Sequence, residues 1–195
     1  LSLSRYRLDQ ALAERARSLG VDLFAETTVT QIDGDLQSAF RLETRSDSGF
    51  RQYSARTVIV AHGKRSSLDR TLSRSFLKTS HPFTALKAHF HGPPLPGRVD
   101  LCTFSGGYCG LGQVEDGLTN VCLLVRTDVI RRKGSVETFI EWMQEQNAGL
   151  KRWFSGARMV SERWLSISQV PFLRKSAVEG DILIAGDAAG LIAPL

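Results

Sequence analysis

The chain has 195 residues, 42% apolar and 23% charged, which suits a globular protein of about one to one and a half domains. Its net charge of +5 is modest, and the densest basic run, Arg131-Arg132-Lys133, has no interleaved aromatics, so it reads as a solvated loop and no nucleic-acid partner is expected. No apolar run approaches the roughly 20 residues of a membrane-spanning helix, so no integral membrane segment is expected.

The chain opens on Leu1 with no signal-peptide layout. Arg5 to Leu19 has the periodicity of an amphipathic helix, with Leu8, Ala11, Leu12, Ala16 and Leu19 near one stripe. Ser4 is placed to cap its start and Gly20 to end it. Val21 to Phe24 reads as a short strand. Val29 to Ile32, Ala39 to Thr44 and Phe50 to Tyr53 read as an antiparallel meander, with turns at Gly34 and Ser48-Gly49. Arg56 to Ala61 is an apolar run expected to be covered on both faces. It ends at His62-Gly63, and one or two helical turns follow over Ser67 to Ser73.

From His81 the pattern changes. Phe83 to His91, Val99 to Phe104, Tyr108 to Val114 and Thr119 to Val125 read as four strands, the last two joined at an Asp116-Gly117 turn. Ser135 to Gln146 reads as a helix, with a further turn over Leu150 to Phe154. Trp142, Met143 and Trp153 are expected to pack these helices. Arg163 to Val170 reads as a strand, and Ile182 to Ala185 as a short buried one that opens into a helix at Gly186-Asp187. There is no internal repeat.

The segment after Ile184 carries the strongest chemical signal. Gly186 permits close approach of a ligand or backbone. Asp187 offers a carboxylate to polyol or ribose hydroxyls. Ala188, Ala189 and Gly190 leave room for a bulky group and present amides at a helix start, where phosphate binds. In α/β sheets, ligands sit beyond the carboxyl ends of strands. For Gly-Asp alone, a buried strand followed by an ordinary Asp N-cap is the better reading. The longer pattern, with Pro194 seven residues after Asp187, is more specific.

Gly186-Asp187-Ala188-Ala189-Gly190 with Pro194 resembles the second flavin-binding motif of the FAD-dependent flavoproteins that include aromatic hydroxylases, geranylgeranyl reductases and halogenases. It is closer to the reductase-like branch, because the hydroxylases usually have His where Gly190 stands. Ala61-His62-Gly63, followed by Ser66 and Arg70, is similar to the family's Ala-Asp-Gly motif, with His62 in place of the usual Asp. Arg5-x-x-Leu8-Asp9-x-x-Leu12 resembles the helix whose Arg reaches the FAD phosphates.

The resemblance implies an α/β (α+β) fold: a partial FAD-binding Rossmann-like domain with an inserted antiparallel-sheet substrate domain. Residues 1–80 and 176–195 would belong to the first and 81–175 to the second. It implies FAD as cofactor, NADH or NADPH as electron donor, and an apolar or aromatic small-molecule substrate. The implied cofactor residues are Arg5, Val29, Ala61, His62, Gly63, Gly186, Asp187, Ala188, Ala189, Gly190 and Pro194.

No Gly-x-Gly-x-x-Gly phosphate loop occurs in the chain, which is therefore expected to be a fragment holding half an FAD site. The same absence, with His62, motivates an alternative: a degenerate, non-catalytic module that binds a nucleotide or a partner. Gly106, Gly107, Gly110 and Gly112 suggest close approach to the middle sheet, with Tyr108 as a substrate-facing candidate. No metal site is expected, because His81, His89 and His91 have no supporting cluster and suit a polar sheet face. Trp164 and Pro171 are partly similar to a halogenase signature but lack its spacing and second Trp. Glu115 and Asp116 are expected to be solvated. Cys102, Cys109 and Cys122 lack zinc spacing and read as free thiols of a reducing cytoplasm.

Overall fold

In chain order the computed structural model contains α1 (Arg5–Ser18), β1 (Thr28–Asp35), β2 (Ala39–Ser46), β3 (Gly49–Ala55), β4 (Ile59–Val60), α2 (Leu68–Thr71), β5 (Phe83–His91), β6 (Val99–Phe104), β7 (Gly107–Gln113), β8 (Thr119–Arg126), α3 (Thr127–Lys133), α4 (Val136–Gln146), α5 (Ala148–Ser155), β9 (Arg158–Met159), β10 (Leu165–Ser168), β11 (Val178–Glu179) and β12 (Ile182–Ile184). Single 3-10 turns occupy Ser75–Lys78, Glu115–Gly117 and Gly186–Ala188. The structure describes residues 3–170, 172–173 and 175–191. None of the described helices is long and apolar enough to cross a membrane. The described residues form two units, 3–19 with 82–170, and 20–81 with 172–173 and 175–191.

The first unit is built on an antiparallel sheet ordered β10-β5-β8-β7-β6, with β9 also paired to β5. Alternation divides its side chains. Leu86, Ala88, Phe90, Cys109, Leu111, Val121, Leu123 and Val125 pack against Val129, Phe139, Ile140, Met143, Leu150 and Trp153 from α3, α4 and α5. Lys87, His89, Tyr108, Gly110, Asn120 and Cys122 take the opposite face, as the registers Lys87↔Cys122, His89↔Asn120 and Gly110↔Cys122 require.

Gly107 has a steric role. A Cβ there would overlap the Leu124 carbonyl oxygen of β8, whereas at Gly110 or Gly112 it would find ordinary contact. The close approach read from this glycine run is thus that of the neighbouring strand's backbone, and it falls on Gly107.

Several expectations are corrected here. Arg131-Arg132-Lys133 is no loop but the last turn of α3, where cations face the negative end of the helix dipole. Glu115 is half-exposed and also has a protein partner: Ser4 donates its amide to Oε2 at 2.9 Å and its hydroxyl to Oε1. Ser4 Oγ also accepts the Arg7 amide at 3.3 Å, so the cap of α1 is itself anchored to the β7–β8 turn. Helix α1 buries none of its residues, and Leu12 and Leu19 of the predicted stripe are 59% and 64% exposed. The strand read over Arg163 to Val170 is confined to Leu165–Ser168, an exposed edge on β5.

The second unit contains the meander β1-β2-β3 and a small sheet ordered β11-β12-β4. Ile32, Phe40, Val58, Val60, Leu68, Ile182, Ile184 and Ala188 form its core. Val21 to Phe24 is not a strand: it has no pairing partner among the described residues, and Phe24 instead meets the Tyr53 ring at 5.0 Å. The run from Arg56 to Ala61 is covered on one face only. Val58 and Val60 are buried, Ile59 is exposed, and only Ile59–Val60 pairs.

Candidate functional site

Strands β4 and β12 run parallel, with Ile59 opposite Leu183 and Val60 opposite Ile184. Their backbones are joined by Leu183 N to Val58 O at 3.1 Å and Ala185 N to Val60 O at 2.9 Å. The residues that follow them, Ala61-His62-Gly63 and Gly186-Asp187, therefore lie side by side at the carboxyl ends of neighbouring parallel strands. Gly63 (φ +82°) and Gly186 (φ +61°) both take the left-handed conformation that glycine adopts without a Cβ penalty. The segment after Gly186 is a 3-10 turn among the described residues, where a helix start was expected.

Beneath the two turns lies a network of buried charge. Asp69, wholly buried, accepts His62 Nε2–H at 3.0 Å, Arg74 Nη1–H at 3.1 Å and the Ser66 amide at 2.7 Å. Arg74, 2% exposed, also donates Nη1 to Ala188 O at 2.8 Å, Nη2 to Ser176 O at 2.8 Å and Nε to Glu179 Oε1 at 3.0 Å. Lys175, 5% exposed, donates Nζ to Lys64 O at 2.8 Å and to Asp187 O at 3.0 Å. The Phe76 ring stacks against both cations, 5.3 Å from the Arg74 guanidinium and 4.4 Å from the Lys175 ammonium. Two buried cations thus meet two carboxylates and four backbone carbonyls, the compensation that buried charge requires. Burial pushes the Lys175 ammonium below its ordinary range, and the nearby Asp69 carboxylate opposes this.

On the other side of these turns, the Asp187 carboxylate is exposed and accepts no hydrogen bond among the described residues. A Cβ added at Gly63 or Gly186 would meet no atom within 4 Å. His62 Nδ1 is buried and has no hydrogen-bond partner among the described residues. Open space and a free carboxylate at adjacent strand ends fit the hydroxyl-bearing chain of FAD. The amides of Ala189 and Gly190 turn back on Gly186 O, at 2.9 and 3.3 Å.

The remaining predicted residues fall elsewhere. Val29 lies in β1 opposite Thr44 and packs against the second unit's core. Arg5 belongs to the first unit, where it is exposed and paired with Asp9 at 3.1 Å. Tyr108 is half-buried on the face of the sheet opposite α3, α4 and α5, and burial raises its phenol above the usual range. His89 lies on that face and is held below the usual imidazole range by burial and by Lys87. No group of His, Cys, Asp or Glu is placed to hold a metal among the described residues. Pro171 and Pro194 lie outside the described residues. Sequence reasoning missed Asp69, Arg74 and Lys175. Arg70, the Arg singled out in the motif, is exposed, and Arg74 four residues later is the buried one.

No known family profile and no curated protein sequence matches the chain. Solved structures match its fold. The flavin-dependent halogenase CmlS aligns with a TM-score of 0.80 at 23% identity, covering 99% of this chain and 36% of that one. A geranylgeranyl bacteriochlorophyll reductase-like protein from Thermoplasma acidophilum gives 0.75 at 20% identity, covering 96% and 48%. The anhydrotetracycline hydroxylase OxyS from Streptomyces rimosus gives 0.62 at 18% identity, covering 97% and 38%. The fold is therefore the mixed α/β fold found in FAD-dependent flavoproteins, and the chain spans between 36% and 48% of the length of these three structures.

Proposed function

We propose that the chain belongs to an FAD-dependent oxidoreductase acting on an apolar or aromatic small molecule, by hydride transfer or hydroxylation, with NADH or NADPH as electron donor. The observation that carries this reading is the convergence of the His62-Gly63 and Gly186-Asp187 turns at the ends of two parallel strands, with open space over both glycines. Bound FAD supplies the redox chemistry; the protein supplies binding, orientation and exclusion of water.

In this reading Ala61, His62, Gly63, Gly186 and Asp187 line the cofactor, and Ala188 to Gly190 continue that wall. The Asp187 carboxylate accepts hydrogen bonds from the ribityl hydroxyls. His62 Nε2 is bonded to Asp69, which fixes the orientation of the ring beside the cofactor wall. Arg5, Val29 and Pro194 complete the proposed set on the strength of the motif resemblance. The substrate lies against the face of the large sheet opposite α3, α4 and α5, where Leu101, Tyr108, Leu165 and Ile167 present apolar surface. The halogenase fold match does not shift the proposal to halogenation, because the second Trp of that signature is absent. His62 in place of a carboxylate had favoured a degenerate module; its bond to Asp69 gives the imidazole a place in an intact network and supports the enzyme reading.

The test is an FAD titration of the purified full-length protein and its Asp187→Ala variant. Loss of the carboxylate should weaken binding on the order of 10- to 100-fold, the worth of about one or two charge-assisted hydrogen bonds. An unchanged Kd would remove Asp187 from the site.

A further inference from the structure

The carbonyls of the Gly-Asp turn are held from within the protein. Gly186 O accepts the Ala189 and Gly190 amides, Asp187 O accepts Lys175 Nζ, Ala188 O accepts Arg74 Nη1, and Ala189 O accepts the Lys175 amide at 3.1 Å. Lys175 Nζ reaches the other turn as well, through Lys64 O at 2.8 Å. One ammonium group therefore spans the two strand-end turns, 12 residues from one and 111 from the other in sequence.

We infer that Lys175 and Arg74 are positioning residues: they fix the spacing and the peptide orientation of the two turns that receive FAD, without touching the cofactor. The inference rests on the proposed reading of these turns as an FAD site. Its physics is that of a planar trans peptide, in which a carbonyl drawn one way sends its N–H the other. The Asp187 carbonyl is drawn to Lys175, so the Ala188 N–H in the same peptide plane points away from it. Arg74 does the same for the Ala188–Ala189 plane. Without these donors, the Asp187 and Ala188 carbonyls lose their side-chain partners and the two planes are free to rotate. Neither side chain is in reserve for a ligand: Arg74 is committed to Asp69, Glu179, Ser176 O and Ala188 O, and Lys175 to Lys64 O and Asp187 O.

The test compares FAD binding, the visible spectrum of bound FAD and FAD-free thermal stability in the full-length protein and its Lys175→Met and Arg74→Lys variants. Arg74→Lys keeps the charge but loses the fork that reaches several acceptors at once. The expected result is a Kd about 10- to 100-fold weaker with an altered flavin band, the penalty of a loosened supporting shell. Lys175→Gln, which keeps an N–H donor without the charge, should recover part of the affinity. A folded Lys175→Met protein with unchanged Kd and flavin spectrum overturns the inference while leaving the FAD reading intact. An unmodified protein that binds no FAD overturns both.

Should the variants fail to fold, amide hydrogen exchange on the unmodified protein decides. A shared clamp gives the hydrogen-bonded amides of Ser66, Ala189 and Gly190 similar protection factors, and protection differing by more than about tenfold overturns it.

Discussion

His62 and Asp69 close the turn after β4, with His62 Nε2 3.0 Å from an Asp69 oxygen that also accepts Arg74 Nη1 at 3.1 Å. This carboxylate is wholly buried, so its desolvation is offset by these donors. Asp69→Ala removes the shared acceptor of His62 Nε2, Arg74 Nη1 and the Ser66 amide while leaving Glu179 on Arg74 Nε, and should lower unfolding free energy by about 1–3 kcal/mol. Urea denaturation followed by circular dichroism measures it. A loss below about 1 kcal/mol would mean that water or another anion compensates Arg74.

The Ser4–Glu115 contact gives a prediction with a pH signature. Hydrogen bonds from the Ser4 hydroxyl and amide hold the Glu115 carboxyl below its ordinary range. The folded pKa is depressed, so the contact contributes fully above the unfolded value of about 4.3 and is lost as pH falls through the folded pKa. Glu115→Gln should therefore destabilise the protein at neutral pH and flatten stability against pH below about pH 4.3. Ser4→Ala should cost about 1 kcal/mol through loss of the helix cap. Parallel acid limbs in the parent and Glu115→Gln proteins would contradict this.

Neighbouring glycines in β7 should respond in opposite ways. A Cβ at Gly107 overlaps the Leu124 carbonyl, so Gly107→Ala should cost about 1–3 kcal/mol or more. Gly110→Ala meets only ordinary contacts, at 3.6 Å from Cys122 O, and should stay within about 0.5 kcal/mol of the parent. Thermal melts of the two variants make the comparison, and equal shifts would contradict the assigned register.

Gly186→Ala separates backbone strain from crowding. The added Cβ meets nothing within 4 Å, but φ is +61°. The cost should be about 1–2 kcal/mol from conformation alone, and FAD affinity should fall with it as the turn relaxes. Unchanged melting and unchanged affinity together would show that the turn does not need this conformation.

The antiparallel strands were legible because their face alternation is a local signal: Phe83–His91 and Val99–Phe104 have the bounds read from the sequence. Helix α3 was not, since Arg126 at its start makes no side-chain cap bond and β8 runs directly into it. Val21 to Phe24 has strand composition, but a strand exists only with a pairing partner, and no local pattern reports one. At the site, Gly63 and Gly186 were readable because a positive φ selects glycine. Arg74 was not, because its acceptors on Ser176, Glu179 and Ala188 lie 102, 105 and 114 residues away. Burial of a charge is decided by such distant groups, and a linear motif reports only neighbours.

The central claim is that the two strand-end turns belong to an FAD site. Its most direct test is the visible absorption spectrum of the purified full-length protein after incubation with FAD and removal of free flavin by gel filtration. The account predicts retained, protein-bound flavin absorbance that is lost or strongly reduced in Asp187→Ala. A folded protein that elutes with no flavin absorbance after FAD is supplied would contradict it.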